Sequence, residues 1–273
     1  MKKIFWILFI LLISPSVKSQ KIDTLLNVNG QSLHFVIIKG NGTPILFESG
    51  NGGDSEDWTS ILDELHNKTN ATLITYDRAG LNKSSIDTTK ISFKIEVKNL
   101  EEVLCKLHYD GKIFLVAHSF GGYYSSLFAY RNKSKVKGAV FIDVATPCYF
   151  TQKWTENYIN TLKVEEWEWI RKNKVGLFYV LKRLPQITKY MADKYLTNST
   201  PLTLIRAEGI PAAPLVYENE REKWVSCLDN FGKLPFHKLV VAKGAEHVVW
   251  EKSPQLVISE IVELYKRVNK DDH

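Results

Sequence analysis

The chain has 273 residues, 44% of them hydrophobic, with 36 basic against 30 acidic side chains and a formal charge of +6. That length suits one domain with a large core. The basic residues form no run dense enough for nucleic-acid binding, and no His/Cys cluster has zinc spacing, so neither a nucleic-acid partner nor a metal is expected.

In chain order, Lys2-Lys3 precede an apolar run from Ile4 to Ile13, and a short polar stretch ends in Val17-Lys18-Ser19-Gln20. This reads as a signal peptide over residues 1–19, cleaved after Ser19, with a retained anchor as the competing reading. The mature chain is then periplasmic or secreted, without a stable membrane anchor. Losing Lys2, Lys3 and Lys18, with no acid in that segment, takes +6 down to about +3. Next, Ile22 to Val28 and Gln31 to Ile38 alternate apolar and polar residues around Asn29-Gly30, a hairpin-turn dipeptide. Pro44 to Glu48 predicts a strand running into Ser49-Gly50-Asn51-Gly52-Gly53, whose glycines let backbone amides turn towards a substrate. This loop lacks the Gly-Lys-Ser/Thr ending of a nucleotide loop and the dinucleotide spacing. A helix through Trp58, Ile61, Leu62 and Leu65 follows, then a strand centred on Leu73. A further helix carries Val97, Leu100 and Leu104, with Cys105 expected to be buried on its apolar side.

The densest signal is Ala117-His118-Ser119-Phe120-Gly121-Gly122, between a predicted strand Ile113 to Ala117 and a predicted helix Tyr123 to Arg131. So short a connection strains the serine backbone, and small neighbours at Ala117 and Gly121 relieve the crowding. The serine hydroxyl then stands clear, beside the Phe120 amide at a helix N-terminus. Gly138 to Asp143 reads as another strand, ending on a carboxylate. Pro147 to Thr200 is rich in aromatics and reads as two or three amphipathic helices, broken near Asn173-Lys174 and Pro185. Lys163, Arg171, Lys172, Lys174, Lys182, Arg183 and Lys189 are expected on its solvent face. A strand centred on Leu204 follows, then His237 to Ala242, a turn ending in His247, and a last helix opened by Ser253-Pro254. The placement of His247, after a strand end and before a final helix, favours a base over a structural histidine.

Four blocks in order make the chain resemble the α/β-hydrolase superfamily. They are Phe47 to Gly53 with Trp58; Tyr76-Asp77-Arg78-Ala79-Gly80-Leu81-Asn82-Lys83-Ser84; the serine turn; and Gly244-Ala245-Glu246-His247 with Pro254. The resemblance implies an α/β fold with an eight-stranded, mostly parallel sheet, helices on both faces and a helical cap over 147–200 between strands six and seven. All of this lies within one domain, residues 20–273. Two departures stand out: Asn82 replaces a usual glycine, which a left-handed backbone tolerates, and Ser49 stands where many relatives have histidine.

The resemblance also implies a triad in the order Ser, Asp or Glu, His. Ser119 is the expected nucleophile and His247 the base, with the amides of Asn51 and Phe120 as the oxyanion hole. The usual acid position after strand seven is Ile210, which carries no carboxylate. Asp143, after strand six, is therefore preferred, Glu208 is the alternative and Asp229 the third choice. The expected activity is that of a secreted or periplasmic, monomeric serine hydrolase on a small-molecule acyl ester of small or medium size, needing no cofactor. Aminopeptidase, thioesterase or cofactor-free perhydrolase chemistry is the nearest rival, and a non-catalytic ligand-binding protein is the reading from a different class. Three cysteines permit at most one intramolecular disulfide. Cys148 and Cys227 can pair, although nothing in the sequence selects that pairing.

Overall fold

A computed structural model describes residues 20–196, 200–211 and 216–270. The expected leader, residues 1–19, lies outside the described residues, as do 197–199 of the expected cap. The chain opens with β1 (Lys21–Val28) and β2 (Gln31–Ile38), joined by Asn29 and Gly30 at φ +51° and +85°. Both central residues are left-handed, as a two-residue hairpin of type I′ requires. β3 (Gly42–Glu48) leads through the glycine loop and a 3-10 turn (Ser55–Trp58) into α1 (Thr59–Thr69). Then come β4 (Ala71–Tyr76), α2 (Phe93–Lys106), β5 (Ile113–His118), α3 (Gly121–Arg131) and β6 (Val136–Ile142). The cap holds α4 (Gln152–Thr161), α5 (Val164–Asn173), α6 (Val175–Lys182) and α7 (Leu184–Met191). The chain returns to the sheet in β7 (Leu202–Ala207), crosses α8 (Arg221–Gly232) to β8 (His237–Ala242), and ends in α9 (Val249–Lys252) and α10 (Pro254–Val268).

The eight strands form one sheet in the order β1-β2-β4-β3-β5-β6-β7-β8. Pairing is antiparallel at β1/β2 and β2/β4 and parallel throughout the rest. Every residue of β4 and β5 is buried, as central strands covered by helices on both faces must be. The edge strand β1 instead alternates exposed and partly buried positions. One core layer packs α2, α3, α8 and much of the cap on one face, and a second packs α1 and α10 on the other. Asn82 sits at φ +43°, the left-handed geometry that a glycine would otherwise supply.

Three expectations about the helices and strands need correction. Cys105 is exposed, because α2 buries Val97, Leu100, Val103 and Leu104, and the next residue lies about 100° further round the helix. Among the described residues the cap has four helices, since the chain also breaks at Leu162-Lys163, and Pro185 lies in the first turn of α7 after a break at Arg183. The strand expected to end at Asp143 ends at Ile142: the Asp143 amide still donates to the Ile205 carbonyl, but its backbone turns to φ +41° and pairing goes no further. A disulfide joins Cys148 to Cys227, tying the start of the cap segment to α8 across 79 residues. Among the described residues no helix is long and apolar enough to cross a membrane.

Candidate active site

Ser119 stands between β5 and α3 at φ +51°. The turn needs room on one side, and Gly121 supplies it: a Cβ there would collide with the Glu48 carbonyl oxygen. The β3 end and the nucleophile turn therefore touch through backbone. Gly50 is close as well, since its Cβ would meet Ser119 Cβ at 3.2 Å. This brings the glycine loop over the serine.

His247 Nε2 lies 2.9 Å from Ser119 Oγ, and His247 Nδ1 lies 2.7 Å from Asp143 Oδ2. With a carboxylate at Nδ1, that nitrogen carries the proton and donates it, leaving the Nε2 lone pair to accept from the serine hydroxyl. Asp143 is fully buried, and its other oxygen, Oδ1, accepts from the Ala207 amide at 3.2 Å. Its own amide donates to the Ile205 carbonyl at 2.7 Å. The parallel pairing of β6 with β7 thus fixes the carboxylate by both its side chain and its backbone.

The two other carboxylates considered for this position do different work. Glu208 accepts from the Gly244 amide at 2.7 Å, bracing the turn ahead of His247, and Asp229 pairs with Arg206 at 2.8 Å. Asn51 and Phe120 both line the cavity that contains Ser119 and His247. Phe120 stands immediately before α3, where the first N–H groups of a helix have no intrahelical acceptor.

Ser49 braces the loop through its hydroxyl. It accepts from Trp58 Nε1 at 2.9 Å and donates to the Asp54 carbonyl at 2.6 Å. Arg78, which the sequence offered only as part of the block Tyr76 to Ser84, is a larger support. Its guanidinium is buried and donates to the Ser49 carbonyl at 2.8 Å, to the Gly50 carbonyl, and to Glu48 Oε2 at 3.3 Å. It also lies 4.7 Å above the Tyr124 ring. One cation thus ties down two consecutive carbonyls of the glycine loop, which constrains where the next amides point.

Two buried carboxyls share that cation. Glu48 accepts from Tyr76, and Glu96 accepts from the Tyr124 hydroxyl at 2.8 Å. Burial pushes each of them up to about 7, against the lowering effect of Arg78, and repulsion from Glu48 raises Glu96 further. Glu96 would ionise near 4.5 in the unfolded chain, so the folded protein binds more protons between that value and about 7. Its stabilising contribution is complete below the unfolded value and is lost as the pH rises through the folded one. Glu96→Gln keeps an acceptor for Tyr124. It is expected to flatten this part of the stability profile and to gain on the wild type above neutrality, as urea midpoints at about pH 5 and about pH 8 would show.

The cavity above the serine measures about 450 Å³. Its apolar wall comes from Phe150 and from all four cap helices, through Tyr158, Ile170, Leu177, Leu181 and Leu184. Asp57, Trp250 and Glu251 line another part. Lys174, expected on the solvent face, instead donates to the Gly52 carbonyl at 3.0 Å and docks the cap on the glycine loop. The Gly176 amide adds a bond to the Gly80 carbonyl at 3.1 Å, where a Cβ on Gly176 would collide with Ala79.

Sequence reasoning gave no part to His118, although it stands within the serine turn. The side chain is buried, it lines the cavity, and its Nε2 lies 3.0 Å from the His247 carbonyl oxygen. The residue type itself was the available signal, since a polar ring directly before the nucleophile on a buried strand needs a partner.

A family model described as the alpha/beta hydrolase fold matches residues 43–225. The Bacillus subtilis (strain 168) protein YqjL is 32% identical over 130 residues, which is 47% of this chain and 51% of YqjL. The chain spans about half, or less, of the length of the curated relatives it matches. Among solved structures, a thermophilic esterase from Thermogutta terrifontis aligns with a TM-score of 0.62 at 19% identity, over 92% of this chain and 99% of the esterase. The haloalkane dehalogenase DatA from Agrobacterium tumefaciens C58 aligns with a TM-score of 0.65 at 14% identity, over 91% and 97% of the two chains. At such identities the likeness shows a shared fold.

Proposed function

The chain belongs to the α/β-hydrolase fold family, and from that premise we propose that it is a serine hydrolase that cleaves small or medium acyl esters outside the cytoplasm. The observation that carries this reading is the unbroken series from Ser119 Oγ to His247 Nε2 at 2.9 Å and from His247 Nδ1 to Asp143 Oδ2 at 2.7 Å.

In the proposed reaction, Ser119 Oγ attacks the acyl carbonyl while its proton passes to His247 Nε2. Asp143 holds the imidazole in the tautomer able to accept it and stabilises the imidazolium that results. The amides of Asn51 and Phe120 receive the oxyanion, and Arg78 keeps the glycine loop from relaxing away as charge develops. The imidazolium returns its proton to the departing alcohol. Water, deprotonated by the same nitrogen, then releases the acid from the acyl-enzyme. The apolar cap wall suits an acyl chain, and a cavity of about 450 Å³ limits how much of one it can enclose.

The absence of a carboxylate at Ile210 motivates a non-catalytic ligand-binding reading. Asp143 weighs against that motive, because its carboxylate lies 2.7 Å from His247 Nδ1. The Cys148–Cys227 disulfide supports a location outside the cytoplasm, where such bonds form and persist.

Fluorophosphonate treatment tests the reading without knowledge of the substrate. One covalent adduct is expected by intact mass, placed on Ser119 by fragmentation, together with hydrolysis of nitrophenyl esters from acetate upwards. Folded protein that takes no label and turns over no ester would overturn it.

A further inference from the structure

We infer that His118 is a positioning residue: its Nε2–H holds the His247 backbone carbonyl and so sets where the His247 imidazole hangs between Asp143 and Ser119. The inference rests on the serine-hydrolase reading above. A carbonyl oxygen only accepts, so the 3.0 Å contact places the His118 proton on Nε2 and leaves Nδ1 as a lone pair. Burial pushes the pKa of this imidazole well below the ordinary histidine value, and the neighbouring His247 pushes it the same way. His118 is thus a neutral, fixed donor.

Its ring has little freedom to do anything else. It lies 4.5 Å from the His247 ring, and meets Trp250 edge-on at 4.9 Å. Trp250 is held in turn by Nε1 donating to the Asp57 carbonyl at 3.0 Å. On the Nδ1 side Gly50 leaves only enough room for the ring, since a Cβ there would come within 3.1 Å of that nitrogen. The titratable groups facing the same cavity are His247, from the turn after β8, with Asp57 before α1, Tyr158 on α4 and Glu251 on α9.

The other supports of the base act earlier in its turn. Glu208 takes the Gly244 amide, and the Gly209 amide donates to the Ala245 carbonyl at 3.0 Å. Asp143 selects the tautomer of His247 but does not hold its Cα. The His118 bond is made to the backbone of the base itself. A neutral donor also has a consequence during turnover, because it adds no positive charge beside the His247 imidazolium.

The test compares His118→Ala with His118→Gln, whose side-chain amide can donate to the same carbonyl. Alanine is expected to slow fluorophosphonate labelling by about tenfold or more, with a displaced pH profile and an unchanged circular dichroism spectrum, and glutamine to recover most of the rate. Nitrogen-15 NMR of labelled histidines is expected to show His118 as the Nε2–H tautomer across the neutral range. The His247 ring shifts should move in the alanine variant and stay near wild type in the glutamine variant. Alanine labelling at the wild-type rate with a superimposable pH profile overturns the inference, as does glutamine behaving no better than alanine. If the wild type takes no label, the hydrolase reading fails. The NMR comparison then decides the His118 contact by itself: His247 shifts that ignore the alanine substitution sink it.

Discussion

Ser119→Ala is expected to lower ester turnover by about 10⁶-fold and to abolish fluorophosphonate labelling. The substitution removes only Oγ. The backbone at φ +51° is no harder for alanine than for serine, and the Cβ that packs near Gly50 stays in place. Thermal stability is therefore expected to change little, so the loss would report chemistry. Some acceleration over water should survive, because the glycine loop and the Phe120 amide can still polarise a bound carbonyl towards attack by water. Steady-state turnover of the best nitrophenyl ester measures the effect. A variant that keeps turnover within tenfold of wild type would require a different nucleophile.

Asp143→Asn is expected to cost about 10³ to 10⁴-fold in turnover while leaving the protein folded. The new carboxamide can keep its carbonyl oxygen on the Ala207 amide, which directs its NH₂ at His247 Nδ1. That nitrogen must then be a lone pair, the proton moves to Nε2, and Ser119 faces a donor where it needs an acceptor. Glu208→Gln is the control that separates the two carboxylates. Its amide oxygen can still take the Gly244 N–H, so turnover is expected to stay within a fewfold of wild type. If Glu208→Gln proves the more damaging change, Asp143 is not the acid and the bond to His247 Nδ1 has another purpose.

Much of this arrangement was legible because its signals are local. Asn29-Gly30 demanded a left-handed pair, and Ala117 to Gly121 demanded a serine in a tight strand-to-helix turn. Asn82 could be accepted in a glycine position on the conformational preferences of one residue. Ser253-Pro254 marked the start of the last helix for the same reason. Cys105 was misread because one residue of rotation around a helix separates its buried face from its exposed one, and amphipathic patterning is coarser than that. The cap was misdivided because the break at Leu162-Lys163 carries neither glycine nor proline.

By itself, the sequence determined the strand succession, the strained serine, the glycine loop and the short list of carboxylates, all of which depend on residues near one another in the chain, while α8 and α9 and one break in the cap went unread. Only the tertiary structure put one of those carboxylates, Asp143, against His247 Nδ1, since the two residues are 104 positions apart and meet through the β6, β7 and β8 ladder. It also showed Arg78 gripping carbonyls 28 and 29 positions away, and His118 reaching a carbonyl 129 positions on. Local preference specifies a backbone conformation. Which polar groups end up within three ångströms of each other depends on sheet order and register, where hydrophobic burial across the whole domain outweighs any single contact.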